Sequence, residues 1–125
     1  QEERDHAMMM RRYLLDNGEK VAFGQIDAPD KQYADNAAPL QAGLEHERLV
    51  TGWINDIYAA AFAAKDFKTM QFLDWFVKEQ GEEEKNAEDL IKKMQLFGQD
   101  PKSLYLLDKD LAARVYTPSA NAPAM

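Results

Sequence analysis

The chain opens on Gln1-Glu2-Glu3-Arg4-Asp5-His6, and this stretch decides how the rest of the sequence is interpreted. Glu3 and His6 are three residues apart, so on a helix they share one face and can reach the same metal ion. Taken alone, this spacing is more often a solvated helix face than a metal site. It becomes specific because two later predicted helices carry polar ligand-type residues on faces that are otherwise apolar.

The composition indicates one soluble helical domain: 125 residues, of which 46% are apolar and 30% charged. The formal net charge of −7 argues against nucleic acid as a partner and favours cations. Since there is no cysteine, disulfides, zinc fingers and iron–sulfur clusters are excluded. No stretch approaches the roughly 18 apolar residues of a membrane span, so we expect a cytoplasmic protein with no membrane partner.

Hydrophobic periodicity predicts an all-α chain of four helices. The first covers residues 1 to about 16 and stops at Asn17-Gly18, and a long connection follows it. The second runs from Asn36 or Pro39 to Ala64, with Asn36 as a candidate cap, and the third runs from Phe67 to Leu96 after the cap Asp66. A short fourth helix covers Ser103 to about Val115. We expect residues 1–116 to form the domain and residues 117–125 to be a mobile tail.

Each of the first three helices has a predicted inward face. These faces are Glu3, His6, Met10, Tyr13 and Leu14 on the first, Leu40, Leu44, Glu47, Thr51, Ile54 and Tyr58 on the second, and Met70, Leu73, Val77, Gln80, Glu83, Ala87, Leu90 or Ile91, and Met94 on the third. Glu47 and Glu83 therefore interrupt apolar stripes. An ionised carboxylate buried without a partner costs several kcal/mol, so bound cations are expected to compensate.

Carboxylates together with one imidazole favour iron or manganese over metals that prefer thiolates. In di-iron carboxylate bundles, two helices each give one Glu and the other two each give Glu-x-x-His. This chain supplies Glu3-x-x-His6, Glu47 and Gln80-x-x-Glu83, and we expect the remaining helix and its Glu to be missing.

Other interpretations of these acids remain open. Glu47 could form a salt bridge with Arg4 or Arg48 instead of binding a metal. Glu84 belongs to an acidic run that is ordinarily solvated, and Glu45 and His46 point away from the face of Glu47. We expect these last three to be surface residues.

Three segments together resemble a prokaryotic non-haem ferritin. They are Gln-Glu-Glu-x-x-His-Ala at the start, Glu-His-Glu-Arg-Leu-Val-Thr at 45–51, and Phe-Leu-Asp-Trp-Phe-Val-Lys-Glu-Gln-Gly-Glu-Glu-Glu at 72–84. The resemblance runs from residue 1 to about 115. It implies a ferritin-like four-helix bundle with a long crossover and a short C-terminal helix, here lacking its N-terminal helix. No haem is expected, because Arg4 stands where a bacterioferritin has its haem-ligating Met.

The resemblance also implies a role for each candidate site residue. Glu3 matches the carboxylate that bridges two irons, His6 a ligand of the first iron, and Glu47 and Glu83 ligands of the second. Gln80 matches a residue close to the dioxygen position. Glu2, Glu79 and Glu82 match acidic residues that bind a third iron, and Glu83 matches a ligand shared between that iron and the second one.

The implied function is iron storage with ferroxidase activity: Fe(II) is oxidised by dioxygen at a di-iron centre, and ferric mineral is stored in a hollow homo-oligomer of 24 subunits. The alternative is a truncated helical fragment that serves as a scaffold and has no competent di-iron site. In either case the exposed stripes predict that other polypeptide covers them.

Overall fold

The computed structural model describes residues 1–125, which form four helices and no strand. The helices are α1 (Glu2–Asp16), α2 (Ala38–Ala64), α3 (Phe67–Phe97) and α4 (Pro101–Ala112). The all-α prediction is confirmed. Residues 1–31 and 115–125 form one compact unit, and residues 32–114 form another. None of the four helices is both long enough and apolar enough to cross a membrane.

The end of α1 is set by the Asn17-Gly18 pair, as predicted. Gly18 adopts a left-handed backbone conformation with φ of 75°. The Gly18 N–H bonds to the Leu15 carbonyl at 3.0 Å, and the Glu19 N–H bonds to the Leu14 carbonyl at 2.9 Å. Together these bonds satisfy two carbonyls that the helix end would otherwise leave without donors, and so stop the helix.

The buried residues of α1 are Asp5 and Met9. The predicted inward face was wrong for Glu3, whose side chain is 74% exposed, and for Leu14, which is 38% exposed. Burial of Asp5 is tolerated because its carboxylate accepts hydrogen bonds from Gln1 Nε2 at 2.7 Å and Tyr116 Oη at 2.9 Å. The second donor lies 111 residues away, so local periodicity could not indicate it.

Two further segments complete this unit. Residues 19–31 have no regular secondary structure. The C-terminal segment belongs to the same unit as α1, to which Tyr116 connects it. The mobility of residues 117–125, and their separation from a 1–116 domain, stay predictions.

In the unit formed by residues 32–114, α2 and α3 pack side by side and α4 packs on α3. Asn36 does not cap α2, contrary to prediction: the N-cap position is Ala37, and Asp35 Oδ1 accepts from the backbone N–H groups of Ala37 and Ala38. Asp66 caps α3 as predicted, accepting from Thr69 N at 3.1 Å. The fourth helix begins earlier than predicted, because Asp100 caps it and Pro101 occupies its first position. It also ends earlier, at Ala112.

The buried apolar residues of this unit are Leu44, Ile54, Ala61, Leu73, Phe76 and Leu107. Among them, Leu44, Ile54 and Leu73 belong to the predicted stripes, whereas Ala61 and Phe76 do not. Val77 was predicted to face inward but is 43% exposed, while its neighbour Phe76 is 2% exposed. Phe76 lies against Phe72 and Trp75, with ring centroids 5.2 and 4.9 Å apart. The larger aromatic side chain buries more apolar area than valine, which favours burying Phe76.

Candidate metal centre

Hydrogen bonds between side chains of α2 and α3 show that the two helices run antiparallel, as their short connection predicts. Arg48 Nη2 donates to Glu88 Oε1 at 3.0 Å, and Tyr58 Oη donates to Asp74 Oδ1 at 2.9 Å. Residues later in α2 therefore meet residues earlier in α3. The reversal happens at Lys65 and Asp66, whose N–H groups bond to the carbonyls of Phe62 and Ala61. This register fixes which polar residues of the two helices face each other.

Glu47 and Gln80, two of the predicted site residues, are brought together by this register. Gln80 Nε2 lies 3.3 Å from Glu47 Oε2 and 3.2 Å from the Glu47 carbonyl oxygen. Gln80 is only 5% exposed, and Glu47 is half-buried. The Gln80 amide thus orients the Glu47 carboxylate. Because the amide is neutral, it does not compensate the negative charge of the carboxylate.

The alternative that Arg48 neutralises Glu47 is not supported. Arg48 turns to α3 and forms ion pairs with Glu88 at 3.0 Å and Glu84 at 3.8 Å. Glu47 on α2 has no cationic partner in this register, whereas Glu84 and Glu88 on α3 both pair with Arg48.

Glu84 is a residue that the sequence interpretation missed, because it was assigned to the solvated acidic run. Its carboxylate accepts a hydrogen bond of 2.6 Å from Thr51 Oγ1, and its side chain is 27% exposed. A signal was available in the sequence. Gln80, Glu84 and Glu88 are spaced four apart, and that spacing places them on one helix face opposite α2.

The other predicted α3 ligands lie on the same stretch of helix. Glu79 and Glu83 are half-buried, whereas Glu82 is exposed and pairs with Lys78 at 3.4 Å. Glu83 follows Gln80 by three residues, so the two share a face of α3. The ligand roles of Glu79, Glu82 and Glu83 stay predictions.

On α1, Glu3 and His6 form a pair in which His6 Nδ1 lies 3.7 Å from Glu3 Oε2. The His6 side chain is 12% exposed, and Glu2 is half-buried. The spacing thus brings a carboxylate and an imidazole together, as predicted. That these α1 residues join Glu47, Gln80 and Glu83 in one centre stays a prediction.

The hydrogen bond between Tyr58 and Asp74 changes the pKa of the tyrosine. The pKa of Tyr58 is raised, chiefly because its hydroxyl donates a hydrogen bond to Asp74, and also because burial and the Asp74 charge disfavour the phenolate. Tyr58 therefore stays a neutral donor and keeps α2 and α3 connected two turns beyond Thr51.

Comparison with known proteins identifies the class to which this fold and these residues belong. The profile of the Ferritin family, a ferritin-like domain, matches residues 1–97. The chain therefore belongs to the ferritin family, which confirms the resemblance seen in the sequence.

Two bacterial relatives show the same level of sequence identity to this chain. The chain is 36% identical to a probable bacterial non-heme ferritin-like protein of Haemophilus influenzae, over 88% of this chain and 67% of the relative. It is also 36% identical to the bacterial non-heme ferritin of Escherichia coli, over 90% and 68%. The chain thus spans about two thirds of the length of each.

Solved structures agree with these relatives. A humanized archaeal ferritin superposes with a TM-score of 0.89 at 38% identity, covering 94% of this chain and 71% of the other. An open-pore ferritin from Archaeoglobus fulgidus gives a TM-score of 0.85 at 36% identity, covering 88% and 68%. The fold class is an all-α, ferritin-like helical bundle.

Proposed function

We propose that this chain is an iron-storage subunit with ferroxidase activity, which oxidises Fe(II) to Fe(III) with dioxygen. Family membership and the bacterial non-heme ferritin relatives support the proposal. The observation that carries it is the Glu47–Gln80 pair between α2 and α3. A half-buried carboxylate, oriented by a buried amide and left without a cationic side chain, provides a hard anionic oxygen suited to a ferrous ion.

Oxidation of ferrous iron by dioxygen sets two requirements for the protein. It must hold two ferrous ions close together, since each gives up one electron and dioxygen accepts two. It must also favour the ferric state, which carboxylate oxygens do because they interact more strongly with the more highly charged ion. In this proposal Glu3 bridges the two ions, His6 serves the first, and Glu47 and Glu83 serve the second.

The remaining predicted residues have supporting roles in the proposal. Gln80 orients Glu47 and lies beside the place where dioxygen reacts. Glu2, Glu79 and Glu82, sharing Glu83, hold a third iron. No haem takes part, the ferric product is stored in a homo-oligomeric shell, and the protein works in the cytoplasm.

Anaerobic titration with ferrous salt, followed by aeration, tests the proposal through the initial rate at which Fe(III) absorbance appears. Glu47→Gln and Glu83→Ala each remove an anionic ligand, and each should lower the rate by at least about 10-fold. The matched control is Glu45→Gln, which makes the same charge change at an exposed position two residues away on α2. Oxidation at the parental rate in both ligand variants would remove the assignment and leave the scaffold alternative.

A further inference from the structure

The side-chain amide of Gln80 is shared among three acceptors of α2. Its Nε2 lies 3.2 Å from the Glu47 carbonyl oxygen, 3.3 Å from Glu47 Oε2 and 3.3 Å from Thr51 Oγ1. A carboxylate and a carbonyl accept only, so they favour the nitrogen end of the amide at this place. The hydroxyl of Thr51 can either donate or accept, and its state decides whether the third contact supports the same orientation.

Thr51 is committed to accepting from Gln80. A threonine hydroxyl has a single proton, and the 2.6 Å contact with Glu84 Oε1 uses it. The lone pairs of Thr51 Oγ1 then require a donor, which is Gln80 Nε2. With the amide reversed, the Gln80 carbonyl oxygen would face two oxygen acceptors of Glu47 and a hydroxyl whose proton is already used.

The acceptor of the Thr51 proton is itself held in place. Arg48 Nε lies 3.8 Å from Glu84 Oε2, and Arg48 Nη2 bonds to Glu88 at 3.0 Å. Glu84 therefore faces α2 with its charge partly compensated and can accept from Thr51. The polar contacts form one connected network, in which Glu84 pairs with Arg48 and accepts from Thr51, while Gln80 donates both to Thr51 and to Glu47.

The other end of the Gln80 amide is left available. Every hydrogen bond of the Gln80 side chain is made through Nε2, so Oε1 accepts none from the chain. Gln80 is 5% exposed, yet no buried side-chain oxygen or nitrogen lacks a partner, so Oε1 is not sealed in the interior. It is an accessible carbonyl oxygen beside the Glu47 carboxylate.

We propose that Thr51 is a positioning residue that, with Glu84 as acceptor of its proton, locks the Gln80 amide. The lock aims Nε2 at Glu47 and presents Oε1, beside that carboxylate, to a ferrous ion or to a water bound to one. The effect of this lock on iron oxidation rests on the proposed function, but the orientation of the Gln80 amide can be tested without iron. Thr51 and Glu84 act only through Gln80 and Glu47.

The first test is structural and uses the iron-free protein. Thr51→Val keeps the shape of the side chain and removes the hydroxyl, while Thr51→Ser keeps the hydroxyl. In crystal structures of the full chain, Thr51→Val should release Gln80 from the Glu47 carboxylate, and Thr51→Ser should retain the contact. An unchanged Gln80 amide in Thr51→Val overturns the inference, whether or not the protein oxidises iron.

The second test is kinetic and applies to the active protein. Thr51→Val should raise the ferrous concentration for half-maximal oxidation by about 10-fold, with a smaller change in maximal rate, as expected for lost orientation of a ligand. Thr51→Ser should restore the parental value, and Glu84→Ala should act in the same direction as Thr51→Val.

The control is Thr117→Val, which makes the same change at an exposed position outside the helices. If the parent oxidises iron and Thr51→Val matches it in both parameters, the positioning role is wrong. If the parent oxidises iron no faster than buffer, the proposed function fails, while the crystallographic result still decides the lock.

Discussion

Lys65 is the single non-glycine residue with a positive φ, at 57°, and it ends α2. A side chain in this left-handed conformation costs roughly 1 kcal/mol, which glycine avoids because it has no Cβ. We therefore expect Lys65→Gly to stabilise the fold by about 1 kcal/mol. Chemical denaturation followed by circular dichroism measures the difference.

Lys65→Ala separates the backbone effect from loss of the lysine side chain. Alanine keeps the Cβ and so keeps the strain, and its stability should stay close to that of the parent. Equal gains in the glycine and alanine variants would contradict the backbone explanation.

Helix capping is the feature of the elements that responds to acid. Asp66 accepts from Thr69 at the start of α3, and Asp100 accepts from Ser103 at the start of α4. These bonds, chiefly those from the Thr69 and Ser103 side chains, lower the pKa of each carboxyl below its ordinary value of 3.8. The unfolded chain thus binds protons more readily, so the stability from both caps is present above that value and is lost as the pH falls through the folded pKa.

Replacing both caps by asparagine tests this origin of acid sensitivity, because asparagine caps a helix without titrating. Between about pH 6 and about pH 3, the urea midpoint of Asp66→Asn/Asp100→Asn should fall less than that of the parent. All other carboxyls are common to both proteins and cancel in the comparison. Parallel declines would show that the caps do not contribute.

The elements themselves were largely predictable from the sequence. The bounds of the four helices agree with prediction within about three residues, because stop and cap residues such as Gly18 and Asp66 act locally. The errors at Asn36 and Val77 arose where neighbouring residues of similar propensity competed, and packing or turn geometry selected Asp35 and Phe76. Periodicity identifies a face only to about one residue.

At the scale of the whole molecule, apolar surface indicates association with other polypeptide. Leu49, Trp53 and Ile57 lie four residues apart on one face of α2 and are 49%, 53% and 46% exposed. A contiguous apolar stripe of this kind is unfavourable in an isolated chain. We expect a homo-oligomeric shell of 24 subunits, so the mass of the particle should be 24 times that of one subunit. Light scattering after size-exclusion chromatography measures this mass, and a compact monomer would refute the expectation.

The sequence by itself determined the helical class, the starts and stops of the four helices within a turn, the ferritin resemblance and the candidate ligands. These features depend on local spacing and on residue chemistry. Only the tertiary structure decided which polar groups meet. The α2–α3 register joined Glu47 to Gln80 and Thr51 to Glu84, and Tyr116 supplied the donor that lets Asp5 be buried. Hydrogen bonds between residues 33 or 111 positions apart depend on packing, and no local pattern in the chain encodes their partners.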